Sequence, residues 1–143
     1  MAHQDEGHYA GKHPDQNTDP VIVKKLSDIT EKNQLGCASA HKAAKELGVS
    51  PKAIGIQADL MELRIVKCQL GLFGHAPEQK RIDPGIDISD ELWAAIESKR
   101  VDGRLSCREC WDIAKEWKIS RLDMGSACEK MNIRIKPCQL GAF

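Results

Sequence analysis

The segment Cys37-Ala-Ser-Ala-His-Lys-Ala-Ala-Lys-Glu46 returns 70 residues later as Cys107-Arg-Glu-Cys-Trp-Asp-Ile-Ala-Lys-Glu116. At the same offset, Arg64-Ile-Val-Lys-Cys-Gln-Leu-Gly-Leu-Phe73 matches Arg134-Ile-Lys-Pro-Cys-Gln-Leu-Gly-Ala-Phe143. Between positions 37–73 and 107–143, 14 of 37 aligned residues are identical, whereas ordinary composition gives about two or three by chance. The chain is therefore predicted to contain two copies of one unit.

The overall composition is that of a globular protein. Of the 143 residues, 41% are hydrophobic and 29% are charged, and the net charge is zero. No apolar run approaches the roughly 20 residues of a membrane-spanning helix, and residues 1–19 contain neither an apolar stretch nor a basic leader. We expect a cytoplasmic protein that makes no membrane contact.

Capping residues mark three helices in each copy. Asp19-Pro20 and Ser50-Pro51 each place an N-cap residue before a proline at the first helical position. Gly48 offers the backbone freedom that a tight helix end needs. In the second copy the first cap is Ser89 or Asp90, and Ser120 takes the place of Ser50.

A short β-strand is predicted after each third helix. Residues 64–68 and 134–138 are β-prone and lead into a Gln-Leu-Gly turn, which resembles a rudimentary wing. The chain has no residues after Phe143 for a return strand, so we predict that the two strands pair with each other.

The predicted architecture is therefore mainly α, with two tandem three-helix repeats, each followed by a short β-strand. The predicted divisions are a disordered N-terminal tail at 1–18, repeat 1 at 19–73, a linker at 74–88 that serves as a hinge or an extended strap, and repeat 2 at 89–143.

The stretch Ala44-Lys-Glu-Leu-Gly48-Val-Ser-Pro-Lys-Ala-Ile54 resembles the helix-turn-helix signature of bacterial transcription regulators with winged-helix-like domains. Ala44 and Ala114 are small where the third helix crosses the second. The second copy departs from the signature at Lys118, which replaces the turn glycine and must accept a left-handed or relaxed turn.

This resemblance implies that the third helix of each copy enters the major groove of DNA. Its contact residues would then be Lys52, Ile56, Gln57, Arg121 and Ser126. The face also contains Asp59, Asp123 and Glu129, which repel phosphate. With net charges of +3 for residues 20–73 and +1 for residues 90–143, the repeats offer only a weak field for a polyanion.

The six cysteines allow two interpretations. Cys37 with Cys68 and Cys107 with Cys138 occupy equivalent positions, which favours small buried core thiols. Alternatively, Cys107, Cys110, Cys128 and Cys138 of the second copy form a zinc or iron–sulfur site, because Cys107-Arg-Glu-Cys110 has the spacing of a metal knuckle. The first interpretation requires no cofactor.

The resemblance implies a DNA-binding transcriptional regulator that uses two tandem helix-turn-helix units. The alternative is a non-catalytic accessory subunit or adaptor, which binds a protein partner within a larger complex through the same helices. Ile56 beside Gly55 slightly favours the adaptor. No nucleophile–base pair, phosphate loop or carboxylate pair is recognisable, so we do not expect an enzyme.

Overall fold

The computed structural model describes residues 8–75 and 80–142. This part of the chain contains six α-helices, a short 3₁₀ turn and four strands of two or three residues. The predicted mainly α class is therefore confirmed. None of the helices in these residues combines the length and apolarity needed to cross a membrane.

The chain divides into two compact units. Unit 1 consists of Met1–Cys68 and Gln139–Phe143, and unit 2 is Gln69–Cys138. The predicted divisions at 19–73 and 89–143 kept each Gln-Leu-Gly segment with the strand before it. In the structure, the segment beginning at Gln69 belongs to unit 2, and the segment beginning at Gln139 belongs to unit 1.

Unit 1 contains three helices and two strands. They are α1 (Pro20–Ile29), β1 (Gln34–Gly36), α2 (Cys37–Leu47), α3 (Pro51–Leu60) and β2 (Arg64–Val66). The predicted caps are present, because the Asp19 side chain accepts a hydrogen bond from the Val21 amide and Ser50 Oγ accepts one from the Ala53 amide. Local sequence therefore accounts for where α1 and α3 begin.

Unit 2 repeats this order with each element 70 residues further along. It contains α4 (Asp90–Lys99), β3 (Arg104–Leu105), α5 (Cys107–Glu116), α6 (Arg121–Lys130) and β4 (Arg134–Ile135). Ser89, rather than Asp90, caps α4. Ser106 and Glu109 form a reciprocal capping box at α5, which satisfies two amides of its first turn.

The strand pairing differs from the prediction. Within unit 1, β2 runs parallel to β1 with Ile65 opposite Leu35, and within unit 2, β4 runs parallel to β3 with Ile135 opposite Leu105. The predicted ribbon between residues 64–68 and 134–138 is therefore wrong, and so is the wing. A wing is an antiparallel hairpin, whereas β2 and β4 find their partners in residues that precede the second helix.

Equivalent apolar residues fill the two cores. Leu26, Leu35 and Ile54 in unit 1 are fully buried, and the residues 70 positions later are also buried. Those residues are Ile96, Leu105 and Met124. Leu35 and Leu105 explain the two strands that the sequence analysis missed, because each places one apolar side chain under the helices while the residue before it stays exposed.

Candidate nucleic-acid interface

The turn between the second and third helices of unit 1 has a defined hydrogen-bond pattern. Gly48 adopts the left-handed conformation at φ 68°, and the Val49 amide donates to the Ala44 carbonyl at 3.0 Å. The half-buried Val49 then leads into the Ser50 cap of α3. This arrangement ends α2 abruptly and points α3 in a new direction.

Unit 2 has the same turn without the glycine. Lys118 has φ 54°, and the Ile119 amide donates to the Ala114 carbonyl at 3.0 Å. Of the two expectations for Lys118, a left-handed or a relaxed turn, the structure has the left-handed one. The left-handed conformation is sterically unfavourable for lysine but not for glycine. The Ile119 hydrogen bond to the Ala114 carbonyl and the packing of the Ile119 side chain must therefore compensate for this cost.

We call the two turns, with the helix ends on either side, the helix-turn junctions: residues 44–53 in unit 1 and 114–123 in unit 2. Their basic side chains, Lys45, Lys52, Lys115, Lys118 and Arg121, are all exposed. Acidic residues are interspersed with them; Glu46 pairs with Lys25, and Glu116 and Asp123 are exposed. Each junction is therefore a patch of mixed charge with exposed positive groups.

Arg121 is held in place before any ligand arrives. Its guanidinium lies 3.6 Å from the centre of the Trp111 ring, and one of its nitrogens donates to Gln69 Oε1 at 3.3 Å. Trp111, Lys115 and Ile119 line a shallow groove beside it. Stacking on the ring restricts the arginine to few rotamers.

The middle of each third helix, by contrast, is covered by another part of the same unit. A Cβ atom built on Gly55 would lie 1.8 Å from the Leu140 carbonyl oxygen, and one built on Gly125 would lie 1.8 Å from that of Leu70. Both leucines are buried. The two Gln-Leu-Gly segments therefore pack backbone to backbone on helices α3 and α6, which only glycine allows.

Two of the predicted contact residues are buried and serve internal hydrogen bonds. Gln57 is 7% exposed; its amide nitrogen donates to the Asn17 carbonyl at 3.2 Å, and its oxygen accepts from the Asp19 amide at 2.9 Å. Ser126 is 2% exposed, and its Oγ accepts from the Asp83 amide at 2.8 Å. Assigning Gln57 and Ser126 to an exposed reading face was therefore wrong.

The N-terminal segment covers α3 and its C-terminal end. Tyr9 is buried within the 3₁₀ turn Tyr9–Lys12, and the amides of Tyr9 and Ala10 donate to the Glu62 carboxylate at 2.7 and 2.8 Å. The Asp59 carboxylate contacts His13 Nε2 at 2.7 Å. The predicted disorder of residues 1–18 does not describe Tyr9, Ala10 and His13, which have partners in Asp59 and Glu62; residues 1–7 lie outside the described residues.

Residues 80–86 lie across α6 in a similar way. In addition to the Asp83 contact, Lys130 Nζ donates to the Ile86 carbonyl at 2.6 Å, and the Arg81 amide donates to the Gly71 carbonyl at 2.6 Å. Of the two roles predicted for the linker at 74–88, the extended strap describes residues 80–86. Residues 76–79 lie outside the described part of the chain.

Of the predicted contact residues, Lys52 and Arg121 are exposed and Ile56 is half-buried. The exposed lysines on either side of the turn, Lys45, Lys115 and Lys118, were not among the predicted contacts. The signal for the buried face was present in the sequence, because glycine stands at both 55 and 125 in the middle of a helix. A glycine at that position costs helix stability unless something approaches it closely.

None of the six cysteines is in a disulfide; five are buried and Cys138 is half-buried. Within the predicted metal set, Cys110 and Cys128 are in contact, with their sulfur atoms 3.9 Å apart. No three His, Cys, Asp or Glu side chains form a metal site in residues 8–75 and 80–142. A zinc ion or iron–sulfur cluster on Cys107, Cys110, Cys128 and Cys138 stays a prediction from the sequence.

The contact with Cys128, together with burial, raises the pKa of the Cys110 thiol far above its ordinary value. In the unfolded chain this thiol ionises above about pH 8.5, while in the folded protein it stays protonated. The stabilisation that the protonated Cys110 thiol provides is therefore fully present below that pH. As the pH rises, we expect Cys110 to lower the free energy of unfolding by up to about 1.4 kcal/mol per pH unit.

Urea unfolding under reducing conditions between about pH 8 and 10 tests this expectation. The C110A variant is suited to the comparison because unit 1 has Ala40 at the equivalent position. Its free energy of unfolding should fall less steeply with pH than that of the wild-type protein. Equal slopes for the two proteins would show that Cys110 ionises equally well in the folded state.

No family model, curated protein or solved structure matches this chain.

Proposed function

We propose that the chain is a non-catalytic DNA-binding transcriptional regulator that contacts DNA through its helix-turn junctions. The observation that carries the proposal is the exposure of Lys45, Lys52, Lys115, Lys118 and Arg121 around two turns of the same geometry. Each junction also presents the N-terminal end of a third helix, which bears the positive end of the helix dipole.

The proposed contacts are to phosphate rather than to base edges. Lysine and arginine side chains at a helix N-terminus suit phosphate oxygens. Residues 57–59 of α3 and 124–128 of α6, including Gln57 and Ser126, are buried, so they cannot reach into a groove without unfolding their surroundings. The proposal therefore implies binding that depends strongly on salt and discriminates weakly between sequences.

A cytoplasmic location is part of the proposal. None of the six cysteines is in a disulfide, and buried thiols outside disulfides are typical of proteins that work in a reducing compartment. The proposed DNA binding requires no metal or other cofactor.

The test is the salt dependence of binding between the full chain and a labelled DNA duplex of mixed sequence. With about five phosphate contacts, the affinity should fall by a few hundredfold between about 50 and 200 mM salt. Fluorescence anisotropy measures this directly. Absence of binding at about 50 mM salt, or an affinity that does not change with salt, would overturn the proposal.

An adaptor that binds a protein partner is the second candidate. Unit 1 contains nine basic and nine acidic residues, and unit 2 contains twelve of each, so neither unit attracts a polyanion through its net charge. In addition, Val21 is 64% and Trp93 is 42% exposed. If the duplex experiment shows no binding, these apolar side chains become the starting point for locating a protein interface.

A further inference from the structure

Two arginines lie directly opposite each other on the sheet of unit 2. In the parallel pair β3–β4, Arg104 is the register partner of Arg134, and Leu105 is the partner of Ile135. Leu105 and Ile135 are buried while both arginines are exposed. Since side chains alternate between the two faces of a strand, the arginines lie on the same outer face.

A third positive group continues this face. The Lys136 amide donates to the Leu105 carbonyl at 2.9 Å, which keeps the chain extended beyond β4. Lys136 stands two residues after Arg134 and is exposed, so its side chain lies on the arginine face. We call Arg104, Arg134 and Lys136 the basic sheet face.

The carboxylates that precede and follow these strands do not neutralise the basic sheet face. Glu97 pairs with Arg100 at 2.9 Å, and Glu109 accepts hydrogen bonds from Ser106 in the capping box. Asp102, in the turn before β3, forms no ion pair with Arg104 or Arg134 in the described part of the chain. Like charges directly opposite each other destabilise a sheet. These carboxylates do not neutralise the repulsion between Arg104 and Arg134.

The fold does not require this arrangement. At the equivalent positions unit 1 has Gln34, Arg64 and Val66, with Gln34 as the register partner of Arg64. Unit 1 thus forms the same parallel pair with one basic side chain instead of three. The repulsion in unit 2 is a feature of its residues, and an anion bound between the arginines would relieve it.

We propose that the basic sheet face of unit 2 is a binding site for a phosphate group, with Arg104 and Arg134 as its ligands and Lys136 as a supporting charge. A guanidinium presents two parallel N–H groups that match two oxygens of a phosphate. Two guanidinium groups on register partners of one strand pair would therefore reach one phosphoryl group from adjacent directions. The site lies on a different element from the helix-turn junction and stands whether or not the junctions bind DNA.

The same chemistry is offered by a phosphodiester of DNA and by the phosphate of a small molecule, so the experiment has two arms. In the first arm, inorganic phosphate is titrated into the full ¹⁵N-labelled chain in phosphate-free buffer, and the arginine side-chain N–H signals are followed by NMR. The signals of Arg104 and Arg134 should shift together and saturate. Shifts that spread evenly over all the arginines without saturation would overturn the proposal.

The comparison variants are R104Q/R134Q and K24Q/K99Q. Both remove two positive charges, and Lys24 and Lys99 are exposed residues of α1 and α4 without an ion pair in the described residues. The affinity for inorganic phosphate should fall at least about tenfold in R104Q/R134Q, as expected for losing charged hydrogen bonds, and stay unchanged in K24Q/K99Q. Equal losses in the two variants would show a general charge effect and overturn the site.

The second arm repeats the comparison with the DNA duplex. A larger loss of duplex affinity in R104Q/R134Q than in K24Q/K99Q supports a phosphodiester as the ligand. If the wild-type chain fails to bind duplex but binds inorganic phosphate at Arg104 and Arg134, the phosphate site stands and the proposed DNA-binding function fails. If the wild-type chain binds duplex DNA and R104Q/R134Q changes neither the duplex affinity nor the phosphate affinity, the proposed DNA-binding function stands and the phosphate site is overturned.

R104Q also gives a readout that is independent of affinity. Removing one of the two opposed charges should make the Tm of R104Q higher than that of the wild-type protein in phosphate-free buffer. Adding phosphate should reduce this Tm difference, because phosphate stabilises the wild-type protein. A Tm of the wild-type protein that exceeds that of R104Q without phosphate would contradict the repulsion on which the proposal depends.

Discussion

Replacing Gly55 or Gly125 by alanine will destabilise the protein strongly, although alanine is the better helix former. Helix propensity alone predicts a gain of about 1 kcal/mol for this change inside a helix. Each added methyl group, however, would lie 1.8 Å from the carbonyl oxygen of a buried leucine, Leu140 or Leu70. A backbone atom cannot rotate away as a side chain does, so we expect a loss of about 3 kcal/mol or more.

Chemical unfolding of G55A and G125A measures the effect, with G36A as the control. Gly36 has φ −67°, and a Cβ there would meet only the Ser39 side chain, at 3.6 Å for Oγ. G36A should therefore change the free energy of unfolding by less than about 1 kcal/mol. Stabilisation of G55A or G125A would mean that the Gln-Leu-Gly segments are not packed on the third helices.

The second large effect is expected for DNA binding by the K52E/R121E variant. The two residues are the exposed basic groups at the N-terminal turns of α3 and α6. Each substitution removes a proposed phosphate contact and places a carboxylate in the same position, where it repels the backbone. The affinity for duplex DNA should fall by about a hundredfold or more at low salt. The slope of log affinity against log salt should become shallower by the amount that corresponds to about two lost phosphate contacts.

The charge-matched control for this variant is K24E/K99E, which reverses two exposed lysines on α1 and α4. It changes the net charge by the same amount without touching a helix-turn junction. Its affinity for DNA should remain within a fewfold of wild type. If the two variants lose affinity equally, DNA responds to total charge alone and the helix-turn junctions are not the contact surface.

The helices and their boundaries followed from local sequence. Asp19-Pro20 and Ser50-Pro51 begin α1 and α3 as expected, and the cap of α6 is Ser120. These features are predictable because a cap residue accepts its hydrogen bond from an amide only two or three residues further along the chain. The left-handed turn at Lys118 was predictable for a similar reason, since it follows from aligning that residue with Gly48.

The exposed part of the candidate site was predicted only in part. Lys52 and Arg121 were identified from the helix-turn-helix resemblance, as basic residues on the third helices, and both are exposed. Gln57 and Ser126 were assigned to the same surface from the same resemblance, and they are buried. Helical spacing tells which residues share a face, but it does not tell whether that face meets solvent.

The linear chain was thus enough to establish the 70-residue period, the six helices, the N-caps of α1, α3 and α6, and the positions of the two turns that are left-handed. Folding over long distances decided the rest: the pairing of β1 with β2, the packing of Leu140 on Gly55, and the contact of Tyr9 with Glu62. Such contacts join residues that are 30 to 85 positions apart. Which of the possible long-range contacts forms depends on how much surface each of them buries, and a local pattern of residues does not contain that information.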